Sequence, residues 1–175
     1  DLYAALIRDL ERSDVTTVID TDGEPLRQAV RAEPDLVSPN VLEAEELVGH
    51  EFASEEERTL AMAEIADLGP REVIMTLPDG ALAKVVVDGQ PRLKRARIEP
   101  REPIAKRGSG DAFLAGYLAV RYEGRPPDQC VRFGVACGAE SAGRFGAGLL
   151  DAKEARRLMG DVELSEVEVP AATHG

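Results

Sequence analysis

The sequence predicts an α/β fold in which a mainly parallel sheet is covered by helices on both faces. Segments with apolar residues at helical spacing alternate with short β-branched runs, the pattern of repeated β–α units. Turn residues (Gly, Pro, Asn, Asp) punctuate the boundaries between them. Residues 2–12 open a helix, with Leu2, Leu6 and Leu10 at helical spacing and Ala5 on the same face. Val15-Thr16-Thr17-Val18-Ile19 reads as a strand ending at Asp20-Thr21-Asp22-Gly23. A helix follows with Pro25 in its first turn. Leu36-Val37 is a very short strand leading into Ser38-Pro39-Asn40. Residues 41–48 and 55–68 read as helices, the second opened by the capping box Ser54-x-x-Glu57.

Val73-Ile74-Met75-Thr76 is the next strand, closed by a turn at Pro78-Asp79-Gly80. Residues 81–87 and 93–98 are strands joined at Asp88-Gly89, a hairpin signal. Helices are predicted over 109–122, 127–142 and 151–159, with a glycine-rich bend at 143–148. Beyond Gly160 the alternation of Val162 and Leu164, then Val167 and Val169, predicts an edge strand.

A chain of 175 residues is one domain with room for a core. Its formal net charge of -12 argues against nucleic acid or an anionic membrane as the main partner. No apolar stretch approaches the ~20 residues of a membrane span. The start, Asp-Leu-Tyr and soon Arg8-Asp9-Leu10-Glu11-Arg12, carries no signal-peptide pattern, so a cytoplasmic location is expected. Cys130 and Cys137 lie seven residues apart in a predicted helix, a rise of ~10.5 Å, beyond the ~7 Å Cα limit of a disulfide. They read as small buried hydrophobes. Neither His50 nor His174 stands at zinc-ligand spacing from them.

The densest chemical signal is Gly108-Ser109-Gly110-Asp111, followed directly by the apolar run 112–116. A helix N-terminus carries unpaired N–H groups and partial positive charge, and flanking glycines let a ligand approach the backbone. A carboxylate beside an anion hole makes sense if it takes a proton from a hydroxyl while the hole holds a phosphoryl group. That points to a kinase. In sheets of this kind ligands sit outside the carboxyl ends of strands, where Asp20-Thr21-Asp22-Gly23, Asn40 with Glu43, Thr76 and the glycine loop all fall. Each also has a plainer reading: Asp22-Gly23 as a turn, Asn40 as a helix N-cap, Glu43 as a favourable first-turn acid.

Residue order and spacing resemble the ribokinase-like, or PfkB, carbohydrate kinases, most of all their 1-phosphofructokinase and tagatose-6-phosphate kinase branch. The resemblance rests on residues 20–26 (DTDGEPL), 39–47 (PNVLEAEEL), 76–82 (TLPDGAL) and 108–116 (GSGDAFLAG). It implies a three-layer αβα ribokinase-like fold, incomplete here, with residues 1–175 forming the C-terminal ATP-binding portion of the kinase domain. It implies that Asp111 is the base and that the N–H groups of Gly108, Ser109 and Gly110 form the anion hole. Asn40 and Glu43 match an Asn-x-x-Glu motif that helps place Mg2+ and the ATP phosphates. Thr76 and Gly80 would line the phosphate and ribose path, and Gly146 would lie near the adenine. The substrate implied is a small phosphosugar, and the parent a homodimer.

Three departures stand out. An Asp/Asn-Thr pair normally precedes the glycine loop; here Ala105-Lys106 replaces it, weakening a monovalent-cation site or rearranging phosphate contacts, with the charge of Lys106 as compensation. The Ser/Thr-Leu-Gly turn reads Thr76-Leu77-Pro78, and proline lacks an N–H. The match also begins past the family's middle, without the sugar-binding residues and the β lid that also forms the dimer interface. Positioning of that kind is worth ~7–11 kcal/mol of barrier, so little activity is expected of this stretch alone. The basic residues Arg92, Lys94, Arg95, Arg97, Arg101, Lys106 and Arg107 lead towards the phosphate loop; all but Lys106 and Arg107 read better as a charged strand edge. A non-catalytic nucleotide-binding module stays open beside the kinase reading. A Rossmann oxidoreductase does not fit, because no Gly-x-Gly-x-x-Gly follows the first strand.

Overall fold

A computed structural model describes residues 2–99 and 108–168. Helix α1 (Leu2–Glu11) precedes strand β1 (Val18–Ile19), α2 (Gly23–Val30), β2 (Leu36–Val37), α3 (Val41–Val48) and α4 (Glu55–Asp67). Then come the meander β3 (Glu72–Leu77), β4 (Gly80–Val87) and β5 (Gln90–Arg97), followed by α5 (Ser109–Tyr122), α6 (Pro127–Ala142) and α7 (Ala152–Leu158). A 3-10 turn at Met159–Asp161 leads into β6 (Glu163–Glu166). Among the described residues no helix is long and apolar enough to cross a membrane.

The strands form one sheet in chain order, β1 to β6. β1, β2 and β3 pair in parallel, whereas β3–β4, β4–β5 and β5–β6 are antiparallel. The expected α/β class holds, and four of the six strands share one direction, but the sheet is mixed rather than parallel throughout. The reason is local: the two-residue turns Pro78-Asp79 and Asp88-Gly89 permit only an antiparallel return. Asp88 (φ 50°) and Gly89 (φ 77°) both take the left-handed conformation that such a turn demands.

Strand alternation sends side chains to two helical layers. Val37, Val73, Met75, Leu82 and Leu93 pack against α2, α3 and α4 through Leu26, Val30, Ala44, Met62 and Ile65. Leu36, Ile74, Ala81, Ala83, Val85 and Ala96 face the other way, onto Phe113, Tyr117, Val131, Val135, Ala136 and Leu158 of α5, α6 and α7. The three-layer αβα arrangement follows. β1 is shorter than the predicted run 15–19 because Asp35 takes the preceding donors: its carboxylate accepts from the Thr17 N–H (2.8 Å) and hydroxyl (3.2 Å). Regular pairing starts only at Val18. The predicted edge strand at the C-terminal side is β6, held to β5 by Arg92 (3.1 Å) and Lys94 (3.3 Å) on Glu166. These two basic residues serve the strand edge; Arg101, Lys106 and Arg107 lie outside the described residues.

α5 and α6 run antiparallel and meet at backbone distance. A Cβ added to Gly116 would lie 2.5 Å from the Cys137 Sγ, and one added to Gly134 would lie 3.1 Å from the Phe113 carbonyl. Gly138 faces the Ser109 carbonyl, 3.2 Å from its own Cβ position. Both cysteines are free and buried, as expected. Gly116→Ala is expected to destabilise the fold by about 1–3 kcal/mol through overpacking, read as a lower midpoint in chemical denaturation. Pairing it with Cys137→Ala should recover part of that loss.

Candidate active site

The carboxyl ends of the parallel strands gather the loops that the sequence singled out. β1 runs into Asp20, β2 into Ser38-Pro39-Asn40, and β3 into the turn at Pro78. Asn40 bridges in parallel to Thr76, and the Thr76 N–H donates to the Pro39 carbonyl at 3.0 Å. Asn40 caps α3: its Oδ1 accepts from the Glu43 N–H (3.0 Å), and the Glu43 carboxylate accepts from the Asn40 N–H (2.8 Å). This reciprocal capping box is the plainer role expected of both residues. It also fixes the pair on the rim, with Asn40 exposed and Glu43 half-buried.

The rim is crowded with carboxylates. Burial, and then the charges of Asp20 and Asp22, push the Glu43 carboxyl above its ordinary value, against a lowering by the hydrogen bond from Asn40. The Asp20 carboxyl is also raised, first by partial enclosure of the group, although the residue still reaches solvent, and then by the charge of Asp111. Asp20 therefore links Glu43 to the N-terminus of α5. In the sequence its cluster carries no assigned role; the available signal is its place at the same strand ends as Asn40 and Thr76. Asp22 stands at the N-cap of α2 without making a side-chain cap bond. Among the described residues no group of three or more His, Cys, Asp or Glu could hold a metal by itself.

Asp111 is exposed in the first turn of α5, where the intrahelical ladder opens with the Ala112 N–H donating to the Gly108 carbonyl at 2.9 Å. Gly110 beside it is open: nothing lies within 4 Å of where a Cβ would stand. Gly108 is in the left-handed region (φ 83°), and a Cβ there would meet the Gly148 N at 2.3 Å. The glycine-rich bend thus backs directly onto the start of α5. Buried Glu140 holds that bend, accepting from the Asp151 N–H at 2.9 Å and from the Arg144 guanidinium. Gly146 sits in this bend at φ 118°, between the exposed Phe145 and the exposed Leu149. In the sequence Phe145 is only an aromatic in a glycine-rich bend, and Glu140 reads as one more helical acid.

The turn after β3 has its own anchor. Arg95 on β5 is 1% exposed and donates through Nη2 to both Asp79 oxygens at 2.7 Å. Its Nε lies 3.5 Å from Glu55 but makes no hydrogen bond. The Ile98 N–H donates to the Asp79 carbonyl at 3.0 Å. Gly80 (φ 140°) leaves no room for a side chain, since a Cβ would fall 2.1 Å from the Ala96 carbonyl oxygen. This packing requires glycine there whatever the turn binds. Asn40, Glu43, Thr76 and Gly80 thus share one rim with Asp20, and Gly108 to Asp111 adjoin it through Asp20. Lys106 lies outside the described residues.

The pattern described as pfkB family carbohydrate kinase matches residues 1–154. The 1-phosphofructokinase of Borreliella burgdorferi is 26% identical over 156 residues, 89% of this chain and 49% of that protein. Among solved structures, Escherichia coli phosphofructokinase-2 in complex with potassium superposes with a TM-score of 0.78 at 24% identity, over 90% of this chain and 51% of that one. Arabidopsis thaliana ribokinase complexed with ribose and ATP gives a TM-score of 0.74 at 23% identity, over 90% and 52%. These two likenesses establish a shared fold. The chain spans about half the length of the relatives it matches. A family match over residues 1–154, joined to an αβα sheet with a glycine-opened α5 at its carboxyl rim, identifies the chain as belonging to the pfkB family of carbohydrate kinases.

Proposed function

We propose that this chain supplies the nucleotide site, anion hole and catalytic base of an ATP-dependent kinase acting on a phosphosugar hydroxyl, that of fructose 1-phosphate or of fructose or tagatose 6-phosphate. The supporting observation is the exposed Asp111 carboxylate in the first turn of α5, close enough to Asp20 for its charge to raise that group. A site meant only to hold phosphate gains nothing from an acid there, whereas a transferase needs a base beside the hole. In this reading Asp111 takes the proton of the sugar hydroxyl as its oxygen bonds to the γ-phosphorus of ATP. The bond from that phosphorus to the bridging oxygen breaks, and ADP leaves. The N–H groups of Gly108, Ser109 and Gly110 hold the phosphoryl oxygens. Asn40, Thr76, Gly80 and Lys106 follow the nucleotide phosphates and ribose, and Gly146 lies by the adenine, with Phe145 offering an apolar face.

Crowded carboxylate oxygens on the rim suit a hard cation, and Glu43 is the residue that would contact Mg2+ held mainly by phosphates and water. When bound, such an ion neutralises phosphate charge. The names of the relatives, 1-phosphofructokinase among them, favour a phosphosugar over other acceptors. The chain spans about half of that protein, and from the order of the motifs at 39–47, 76–82 and 108–116 residues 1–175 are read as the C-terminal ATP-binding portion of the domain. Sugar contacts, the lid and a dimer interface are assigned to the part it does not span, so the stretch alone should turn over little sugar. The whole protein is read as a cytoplasmic homodimer.

Mg2+-ATP turnover by the protein that contains this chain, offered each of the three sugars, tests the reading. Asp111→Asn is expected to lower kcat by about 10²–10⁴-fold with little change in KM for ATP. ATP binding without turnover on any sugar would instead support a non-catalytic nucleotide-binding module, a reading favoured by Pro78, which gives the turn after β3 one N–H fewer.

Rim electrostatics give a second expectation. Asp20 and Glu43 hold their protons more tightly folded than unfolded, so stability falls as pH rises through their raised native values. Asp20→Asn should therefore raise Tm near neutral pH and flatten its dependence on pH above the ordinary carboxylate range. Thermal melts across mildly acidic to neutral pH read this directly; an unchanged or lower Tm would refute the crowding argument.

A further inference from the structure

We infer that a cavity at the end of the strands opposite to the rim of Asp111 is a second anion site, built for inorganic phosphate or a small phosphate monoester. It has a volume of about 260 Å³ and lies where β3 begins and β4 ends, with Arg71, Glu72, Tyr117, Arg121, Arg125 and Pro127 in its wall. Three arginines line this cavity in a chain where Asp and Glu outnumber Lys and Arg 33 to 21. Glu72 is part of the wall and does not compete for the space: its buried carboxylate accepts from the Val86 N–H at 3.0 Å and from the Arg121 Nη1. That same Nη1 reaches the Tyr117 hydroxyl at 3.1 Å, so the Arg121 guanidinium is fixed while its remaining N–H edge is used by neither partner.

Arg71 makes no ion pair among the described residues. Arg125 makes only an exposed one, 3.8 Å from Glu123, of a kind that contributes little and yields to a stronger anion. Pro127 opens the 16-residue helix α6, whose N-terminal end adds positive potential. Its first-turn acid, Asp128, pairs with Lys94 at 3.5 Å. Three arginines against Glu72 and the exposed Glu123 leave an excess of positive charge for an anion. At about 260 Å³ the cavity has room for phosphate or a short ester. It is separate from the rim: Arg121 lies in the last turn of α5, about 20 Å along the helix from its first residue.

The test titrates the full chain with inorganic phosphate and with glycerol 3-phosphate at constant ionic strength, against chloride, while following the arginine Nε–Hε NMR signals. Saturable shifts of Arg71, Arg121 and Arg125 are expected with phosphate and not with chloride. In the double variant Arg71→Gln/Arg125→Gln, both of exposed residues, affinity should fall at least tenfold with the rest of the spectrum intact. Tighter binding of the ester would make a metabolite the occupant, and tighter binding of phosphate the free ion. No saturable shift, an unchanged affinity in the variant, or shifts confined to the amides of Gly110 and Asp111 would overturn the assignment. The outcome does not depend on whether the rim transfers phosphoryl groups.

Discussion

The close approach of α5 to α6 is the constraint on which the rest of the molecule depends. An α-helix can present its N–H edge to a ligand only if something fixes where that edge points, and here three glycines fix it. Gly116, Gly134 and Gly138 let two helices come together at backbone distance, with Phe113, Tyr117 and Cys137 filling the seam. Because the helices are antiparallel, the end of α6 lies beside the beginning of α5. The bend that leaves α6 therefore meets the cap of α5, and Gly148 abuts Gly108. Glu140, buried near the end of α6, ties that bend down through Arg144 and the Asp151 N–H. One packing decision in the helical layer thus positions the chemical group at the sheet rim.

A different physics governs the rim itself. The charge of Asp111 disfavours ionisation of Asp20, and the charges of Asp20 and Asp22 disfavour that of Glu43. A fold selected for stability alone would separate them. Sites that store such unfavourable interactions are where function is usually found. The structure offsets the cost with local bonds: the capping box holds Glu43, and β-pairing holds Asn40 against Thr76. The buried charge of Arg95 is treated likewise, with Asp79 accepting two bonds from it and the Ala96 carbonyl another.

Much of this was legible in the sequence, for reasons that differ between elements. The bounds of α3, α5 and α6 follow from punctuation that acts locally: Asn40 and Gly49, Gly108, and the prolines at 126 and 127. The hairpin at Asp88-Gly89 and the edge strand β6 carry equally local signals. β1 was read too long because the competing acceptor, Asp35, is remote in sequence. The mixed pairing could be read from the two short turns, which outweigh the α/β pattern around them. At the site, Asn40, Glu43, Thr76 and the glycine loop were visible as strand-end polar clusters. Asp20 gains its part only from proximity to Asp111, and Glu140 only from burial beside a loop it does not belong to. Arg95 looked like a surface cation in a basic run; its alternation with Leu93 and its Asp79 partner turn it inward.

The thiol in the α5–α6 seam has a further consequence. Cys137 fills the space above Gly116, and burial together with the nearby charge of Glu140 pushes its pKa up to about 11. Near neutral pH only on the order of one molecule in ten thousand then carries the nucleophilic thiolate. A sulfinic or sulfonic acid at this position would need room for extra oxygens where even a methyl group on Gly116 would not fit. Oxidative damage to Cys137 would therefore disable the protein by forcing the two helices apart, without touching any group on the rim. The burial that makes the seam tight also keeps its sulfur in the form that resists such damage.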